Sequence, residues 1–156
     1  MHLRRQLPES PPHAVLSTIP SDSHTWNLLF LQLLLEEQGW EVTNLGACVP
    51  VETLVTECAA RPPGLIVVST VNGHGAEEAP ALARAVRAEP ALARVPMVIG
   101  GKLDTRGSTT ADTHPAFTEA GFDAVLTGPN AVPGLLTLLD SLRQHGHGRA
   151  YADAVG

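Results

Sequence analysis

The side chains best suited to chemistry in this 156-residue chain are Asp22 and His24, two positions apart in Ser21-Asp22-Ser23-His24. An aspartate at this spacing can accept a hydrogen bond from one imidazole nitrogen, which leaves the other nitrogen facing outward as an acceptor. That outward nitrogen is available to a metal ion or to a proton. The alternative is structural, because Ser21, Asp22 or Ser23 can cap the following helix and leave His24 as a polar surface residue.

Small and polar residues also follow later apolar segments of the chain. Three such groups are Ser69-Thr70-Val71-Asn72-Gly73, Gly100-Gly101 and Thr127-Gly128-Pro129-Asn130. Glycines at the end of a strand let a flat or bulky ligand lie against the backbone. The pair Gly100-Gly101 is more than a turn alone requires, whereas a plain turn explains the third group equally well.

Other common kinds of site do not fit this sequence. It has no G-x-S-x-G motif for a serine nucleophile, and Gly73–Glu78 lacks the third glycine of a dinucleotide fingerprint. Cys48 and Cys58 match no zinc or redox spacing, and we expect both to be buried. A phospho-acceptor role for Asp22 would need a neighbouring cluster of acidic residues, which the sequence does not place there.

The elements that position these residues alternate between strands and helices. Apolar runs predict strands at 14–20, 41–46, 64–71, 96–101 and 123–127, with helices near 25–38, 51–60, 77–88, 114–120 and 132–144. Unbroken apolar strands are typical of a parallel sheet that helices cover on both faces. We therefore predict an α/β fold, a flavodoxin-like (Rossmann-like) doubly wound five-stranded parallel sheet in a single domain. Ligands of such sheets bind at the carboxyl ends of the strands, where the groups above lie.

The composition restricts the partners and the location. A formal charge of −6 argues against a nucleic-acid binder, and the apolar run in 28–35 is too short to cross a membrane. The first residues do not resemble a signal peptide, so we expect a cytoplasmic protein. Residues 1–12 are predicted to form a flexible lead-in, 13–145 the domain, and 146–156 a flexible tail.

Together, Asp22-x-His24, Ser69-x-Val71 and Gly100-Gly101 resemble the D-x-H-x-x-G, S-x-L and G-G signature of the cobalamin (B12)-binding domain family. Within that family, the length and local strings of the chain are most similar to the small (sigma) subunit of glutamate mutase, or methylaspartate mutase. The chain departs from the signature at Asn27, which stands in place of a glycine, and at Val71, which replaces leucine. It also has Asn72 where an aromatic ring is expected.

The resemblance implies how a cofactor would bind. His24 would displace the dimethylbenzimidazole base and bind cobalt from below, with Asp22 hydrogen-bonded behind it. The displaced base would enter a slot between the first helix and the sheet, which suits a helix that is apolar nearly all round. The implied cofactor-binding residues are Asp22, Ser23, His24, Thr25, Asn27, Ser69, Val71, Asn72, Gly73, Gly100, Gly101, Thr127, Gly128 and Pro129, with His24 as the metal ligand.

The resemblance also implies an activity. The chain would be the cobalamin-binding component of an adenosylcobalamin-dependent mutase of the glutamate to 3-methylaspartate type, in which an adenosyl radical abstracts a substrate hydrogen. The substrate would bind to a separate large barrel subunit. A corrinoid carrier or methyl-transfer protein, a B12 sensor without mutase activity, and a cofactor-free interaction domain are alternatives. The residues do not decide between adenosylcobalamin and methylcobalamin.

Overall fold

The computed structural model describes residues 10–103 and 114–144. The described residues form strands and helices in strict alternation. In chain order these are β1 (His13–Ser17), α1 (Trp26–Glu37), β2 (Glu41–Asn44), α2 (Val51–Ala60), β3 (Leu65–Thr70), α3 (Gly75–Ala88), β4 (Met97–Gly101), α4 (His114–Ala120), β5 (Ala124–Leu126) and α5 (Ala131–Gln144), with short 3₁₀ turns at Pro90–Leu92 and Gly128–Asn130.

The five strands form one parallel sheet in the order β2-β1-β3-β4-β5. This is the strand order of flavodoxin-like folds, so the predicted fold class is confirmed. The chain moves outward from β1 to β2 and then returns to β3 on the other side of β1. The switch point of the sheet therefore lies between the carboxyl ends of β1 and β3, next to Ser21–His24 and Ser69–Val71.

Each face of the sheet is covered by its own set of helices. On one face, Leu54 and Cys58 of α2, Leu82 of α3 and Phe117 of α4 belong to one buried cluster with strand residues. On the other face, α1 and α5 pack against Ala14, Leu16, Leu65, Val67 and Val98. Both faces of β3 are buried along its whole length, which explains its unbroken apolar sequence.

Some element bounds differ from the sequence prediction. β1 ends at Ser17 instead of 20, because the chain then turns and the Asp22 amide donates to the Ile19 carbonyl at 3.1 Å. Ile19 is nevertheless fully buried, so it extends the apolar run without extending the strand. β2 ends at Asn44, where the side chain accepts a hydrogen bond from the Gly46 amide at 2.9 Å. The expectation of a buried Cys48 is wrong, because this residue is exposed.

Some predictions lie wholly or partly outside the described residues. They concern most of the lead-in predicted for 1–12, the last residue of the domain predicted for 13–145, and the tail predicted for 146–156. Within 10–103 and 114–144, no helix is long and apolar enough to cross a membrane.

Candidate functional site

The carboxylate of Asp22 is fully buried at the switch point and accepts four hydrogen bonds. Oδ1 accepts from the backbone amide of His24 at 3.0 Å and from His24 Nδ1 at 2.7 Å. Oδ2 accepts from Thr70 Oγ1 at 2.7 Å and from the Val71 amide at 2.8 Å. One side chain thus joins the loop after β1 to the end of β3.

These contacts determine the charge of Asp22. Burial raises the pKa of this carboxyl group, but the hydrogen bonds from His24, Thr70 and Val71 act in the opposite direction and outweigh it. The net result is a pKa well below the usual range, so Asp22 is ionised at neutral pH. An ionised carboxylate can only accept hydrogen bonds. His24 Nδ1 must therefore carry the hydrogen in its contact with Asp22.

The imidazole of His24 is oriented for a ligand on its other nitrogen. Nδ1 is held by Asp22, while 46% of the side chain is exposed. Nε2 makes no hydrogen bond to any residue in 10–103 or 114–144, and it is the acceptor nitrogen of this tautomer. The same ranges contain no group of three or more His, Cys, Asp or Glu side chains that could hold a metal ion. A metal at Nε2 would therefore not find two further ligands of these types in this part of the chain.

The capping alternative for this loop is wrong. Helix α1 begins at Trp26 with Thr25 as its N-cap, and no side chain accepts a hydrogen bond there. Asp22 is directed to β3 instead, and Ser21 Oγ donates to Glu78 on α3. Ser23 and Thr25 are exposed residues on either side of His24.

Asn72 connects the loops after β1 and β3. Its Nδ2 donates to Ser21 Oγ at 2.9 Å, and its Oδ1 accepts from the His74 amide at 2.9 Å. Gly73, which follows it, adopts φ +86° and is buried. Both residues were predicted to bind a cofactor, and the structure places them in the loop that supports Asp22.

A slot of about 250 Å³ opens between α1, α5 and one face of the sheet. Five of the predicted site residues line it, namely Asn27, Ser69, Val71, Gly100 and Gly101. The walls also include side chains that the sequence analysis did not name, among them Trp26, Phe30, Leu126, Val132 and Leu135. Trp26 is 67% exposed at the start of α1. Because α1 is apolar nearly all round, its apolar side chains were the signal that could have identified this part of the wall.

The two glycines of the slot are required by the protein's own backbone. A Cβ on Gly100 would lie 2.6 Å from the Leu126 carbonyl oxygen, and one on Gly101 would lie 2.1 Å from that of Thr70. Gly101 also has φ +108°, a conformation that favours glycine. Close strand packing therefore explains both glycines without a ligand, and the wall that they form carries no side chain.

Asn27 and Ser69 form the polar part of the slot. They are 6% and 5% exposed, and Asn27 Nδ2 donates to Ser69 Oγ at 2.9 Å. Asn27 Oδ1 is buried and has no hydrogen-bond partner among the described residues. The remaining predicted group, Thr127-Gly128-Pro129, lies in the turn after β5 and does not line the slot.

Comparisons with known proteins found a family model and several relatives that this chain resembles. A sequence model of the B12 binding domain matches residues 12–136. The glutamate mutase sigma subunit of Treponema denticola is 31% identical over 126 residues, which are 81% of this chain and 88% of that protein. The glutamate mutase sigma subunit of Halobacterium salinarum is 30% identical over 132 residues, 85% of each chain. The HTH-type transcriptional repressor CarA of Myxococcus xanthus is 37% identical over 91 residues, 58% of this chain and 31% of that protein.

Solved structures share the fold at lower sequence identity. A cobalamin-binding protein from Desulfitobacterium hafniense has a TM-score of 0.67 at 23% identity, over 85% of this chain and 59% of that one. The chemotaxis response regulator CheY4 of Vibrio cholerae has a TM-score of 0.63 at 16% identity, over 84% of this chain and 98% of that one. At these identities the likeness concerns the fold alone.

Proposed function

The chain belongs to the B12-binding domain family, and on that premise we propose that it is the cofactor-binding small subunit of an adenosylcobalamin-dependent carbon-skeleton mutase. In this proposal His24 Nε2 would bind cobalt, and the slot between α1, α5 and the sheet would hold the displaced dimethylbenzimidazole base. The observation that carries the proposal is the contact of 2.7 Å between His24 Nδ1 and Asp22 Oδ1.

The chemistry of this pair supports the assignment to cobalt. The buried, ionised Asp22 holds Nδ1 as a donor, so Nε2 keeps its lone pair for a metal. Partial negative charge passed to the imidazole through this hydrogen bond makes Nε2 a better donor to a metal. Because Asp22 is also bound by Thr70 and Val71, the imidazole is held in a fixed orientation before any cofactor arrives.

The slot fits a flat aromatic base. Its apolar walls come from α1, α5 and the strands, while the side-chain-free wall of Gly100 and Gly101 leaves room against β4. The orphaned Oδ1 of Asn27 and the hydroxyl of Ser69 supply polar groups in the same slot. Under this proposal Ser23 and Thr25 would contact the cofactor beside His24, and Thr127, Gly128 and Pro129 would contact it beyond the slot.

The proposed reaction belongs to the cofactor and to a second subunit. When bound, adenosylcobalamin supplies a carbon-centred radical for hydrogen abstraction from the substrate. The contribution of this chain is to hold the cofactor and the displaced base. Since its curated relatives include glutamate mutase sigma subunits, we propose glutamate and 3-methylaspartate as the substrate pair. The substrate would bind on a large barrel subunit, and we propose that the two act together in the cytoplasm.

The experiment that tests this function is a titration with adenosylcobalamin, followed by visible absorption. Wild type is expected to bind one equivalent and to keep the red spectrum of a nitrogen-ligated cobalt, because the His24 imidazole would take the place of the benzimidazole. His24→Ala should bind more weakly or show the yellow spectrum of a cofactor that has lost its nitrogen ligand. His74→Ala is the matched control, because His74 is a loop histidine of similar exposure, 50%, that follows β3. Equal binding and equal spectra in all three proteins would contradict the assignment of His24.

A second candidate is a corrinoid sensor or carrier without mutase activity. The relative that favours it is the transcriptional repressor CarA, which is 37% identical over part of this chain. The two functions differ in one measurement. A mutase component restores turnover of glutamate when it is mixed with a large mutase subunit and adenosylcobalamin, whereas a sensor or carrier binds the cofactor and restores none.

A further inference from the structure

Asn27 gives this slot a polar group that the family signature, with glycine at this position, does not have. Asn27 is the second residue of α1, and its Nδ2 donates a hydrogen bond of 2.9 Å to Ser69 Oγ on β3. Both side chains are more than nine-tenths buried, and both line the slot. The pair is therefore an internal part of the slot wall, where water does not readily replace a missing hydrogen bond.

The pair keeps one donor and one acceptor that no described residue uses. Asn27 Nδ2 donates to Ser69 Oγ, so the Ser69 hydroxyl hydrogen remains free to donate, and Asn27 Oδ1 remains free to accept. Rotating the amide by half a turn reverses the roles and leaves the same outcome. In that orientation Ser69 donates to Oδ1, Nδ2 is the free donor, and Ser69 Oγ retains a free lone pair.

The bases found in corrinoids satisfy this pair to different degrees. Dimethylbenzimidazole has one free ring nitrogen, which accepts a hydrogen bond, and carries no N–H or O–H group when it is attached to its ribose. A purine such as adenine has ring nitrogens that accept and an amino group that donates. A buried polar atom without a partner costs free energy, so a ligand that satisfies both groups is favoured.

This inference rests on the proposed function. We propose that Asn27 and Ser69 form a base-selecting pair. The pair favours corrinoids whose lower base offers both a hydrogen-bond acceptor and a donor, such as adenine, over corrinoids that carry dimethylbenzimidazole. Asn27 is the specificity-determining residue of the pair. Ser69 alone, beside the glycine of the signature, would meet only the acceptor nitrogen that both bases share.

The test compares dissociation constants for two corrinoids, one with dimethylbenzimidazole and one with adenine as lower base, measured by visible absorption. The variants are wild type, Asn27→Leu, which keeps a side chain of similar size without hydrogen-bonding groups, and Asn27→Gly. The quantity of interest is the ratio of the two dissociation constants in each protein. The two bases bind their own cobalt with different strengths in free solution, but that difference is the same for every variant and cancels.

We expect the preference for the adenine corrinoid to be about tenfold larger in wild type than in Asn27→Leu, the effect of about one hydrogen bond. Asn27→Gly should show the same reduced preference as Asn27→Leu. Equal ratios in wild type and Asn27→Leu would overturn the inference. So would an equal gain in affinity for both corrinoids in Asn27→Gly, since Asn27 would then only take up space.

The outcome separates this inference from the function on which it rests. If the proteins bind both corrinoids and the ratios do not change, base selection is wrong and the cobalamin-binding function stands. If no variant binds either corrinoid, the proposed function fails and the inference fails with it. Circular dichroism identifies any variant that does not fold, and Asn27→Ala then replaces it, with the same reduced preference expected.

Discussion

Thr70 Oγ1 donates a hydrogen bond of 2.7 Å to Asp22 Oδ2, and both residues are fully buried. The other oxygen of the same carboxylate accepts from His24 Nδ1. The side chain that orients the candidate metal ligand is therefore also the side chain that joins β1 and β3 at the switch point. Folding and ligand geometry depend on one group, which distinguishes Asp22 from an ordinary surface acid.

Replacement of Asp22 is expected to destabilise the fold. Asp22→Ala leaves the backbone amides of His24 and Val71 without their acceptor and leaves Thr70 Oγ1 with only its longer contact to Asn72 Oδ1 at 3.2 Å. A buried donor left unpaired costs about 1–3 kcal/mol. We expect a loss of about 3 kcal/mol in the free energy of unfolding, measured by urea denaturation. Ser23→Ala is the matched control one residue away and should change the value by less than about 0.5 kcal/mol. Equal values for both variants would show that the carboxylate does not join the strands.

The glycines of the slot are expected to differ sharply from a surface glycine. Gly101→Ala would force alanine into φ +108° and place its Cβ against the Thr70 carbonyl oxygen. We therefore expect the free energy of unfolding to fall by at least about 3 kcal/mol. Gly46 is the control, because it has φ +86° and no atom within 4 Å of an added Cβ. Gly46→Ala should cost about 1 kcal/mol in the same denaturation assay. Similar costs at both positions would contradict the close contact at β4.

The two cysteines are expected to react at very different rates. Burial raises the pKa of the Cys58 thiol to about 12, while Cys48 is exposed in the loop after β2. A thiol reagent at neutral pH should therefore modify Cys48 quickly and Cys58 only after denaturation. Mass spectrometry of the modified peptides checks the assignment. Rapid modification of Cys58 in the folded protein would contradict the packing of α2 on the sheet.

His13 is expected to make stability depend on pH. Burial, and secondarily the charge of Arg61, lowers the pKa of His13 below the ordinary value of 6.5. At a pH between 6.5 and the lower pKa of the folded state, the unfolded chain binds more protons at His13 than the folded chain does. The stability that neutral His13 contributes is therefore complete above pH 6.5 and is lost as pH falls through this range. Urea denaturation should therefore show a smaller decline from pH 7 to pH 5 in His13→Gln than in wild type. Parallel curves would contradict the prediction.

The sequence predicted most of the fold because its strands are apolar on both faces and its helices end at glycine or proline. It placed the end of β1 too late, because the buried Ile19 continues the apolar pattern through a turn. The spacing of Asp22 and His24 was enough to predict their hydrogen bond. The second hydrogen-bond partner of Asp22, Thr70, could not be predicted, because it depends on where β3 lies in the sheet. A second reason for Gly100 and Gly101, the close contacts with Leu126 and Thr70, is visible only in three dimensions.

The central claim, that His24 binds cobalt from below, has a direct spectroscopic test. Protein labelled with ¹⁵N-histidine is loaded with unlabelled cob(II)alamin, and its electron paramagnetic resonance spectrum is compared with that of unlabelled protein. Coordination by His24 Nε2 predicts that the nitrogen splitting changes from three lines to two on labelling, and that His24→Ala loses this change. A three-line splitting that persists in the labelled protein would show that cobalt keeps its own benzimidazole, which would contradict the account.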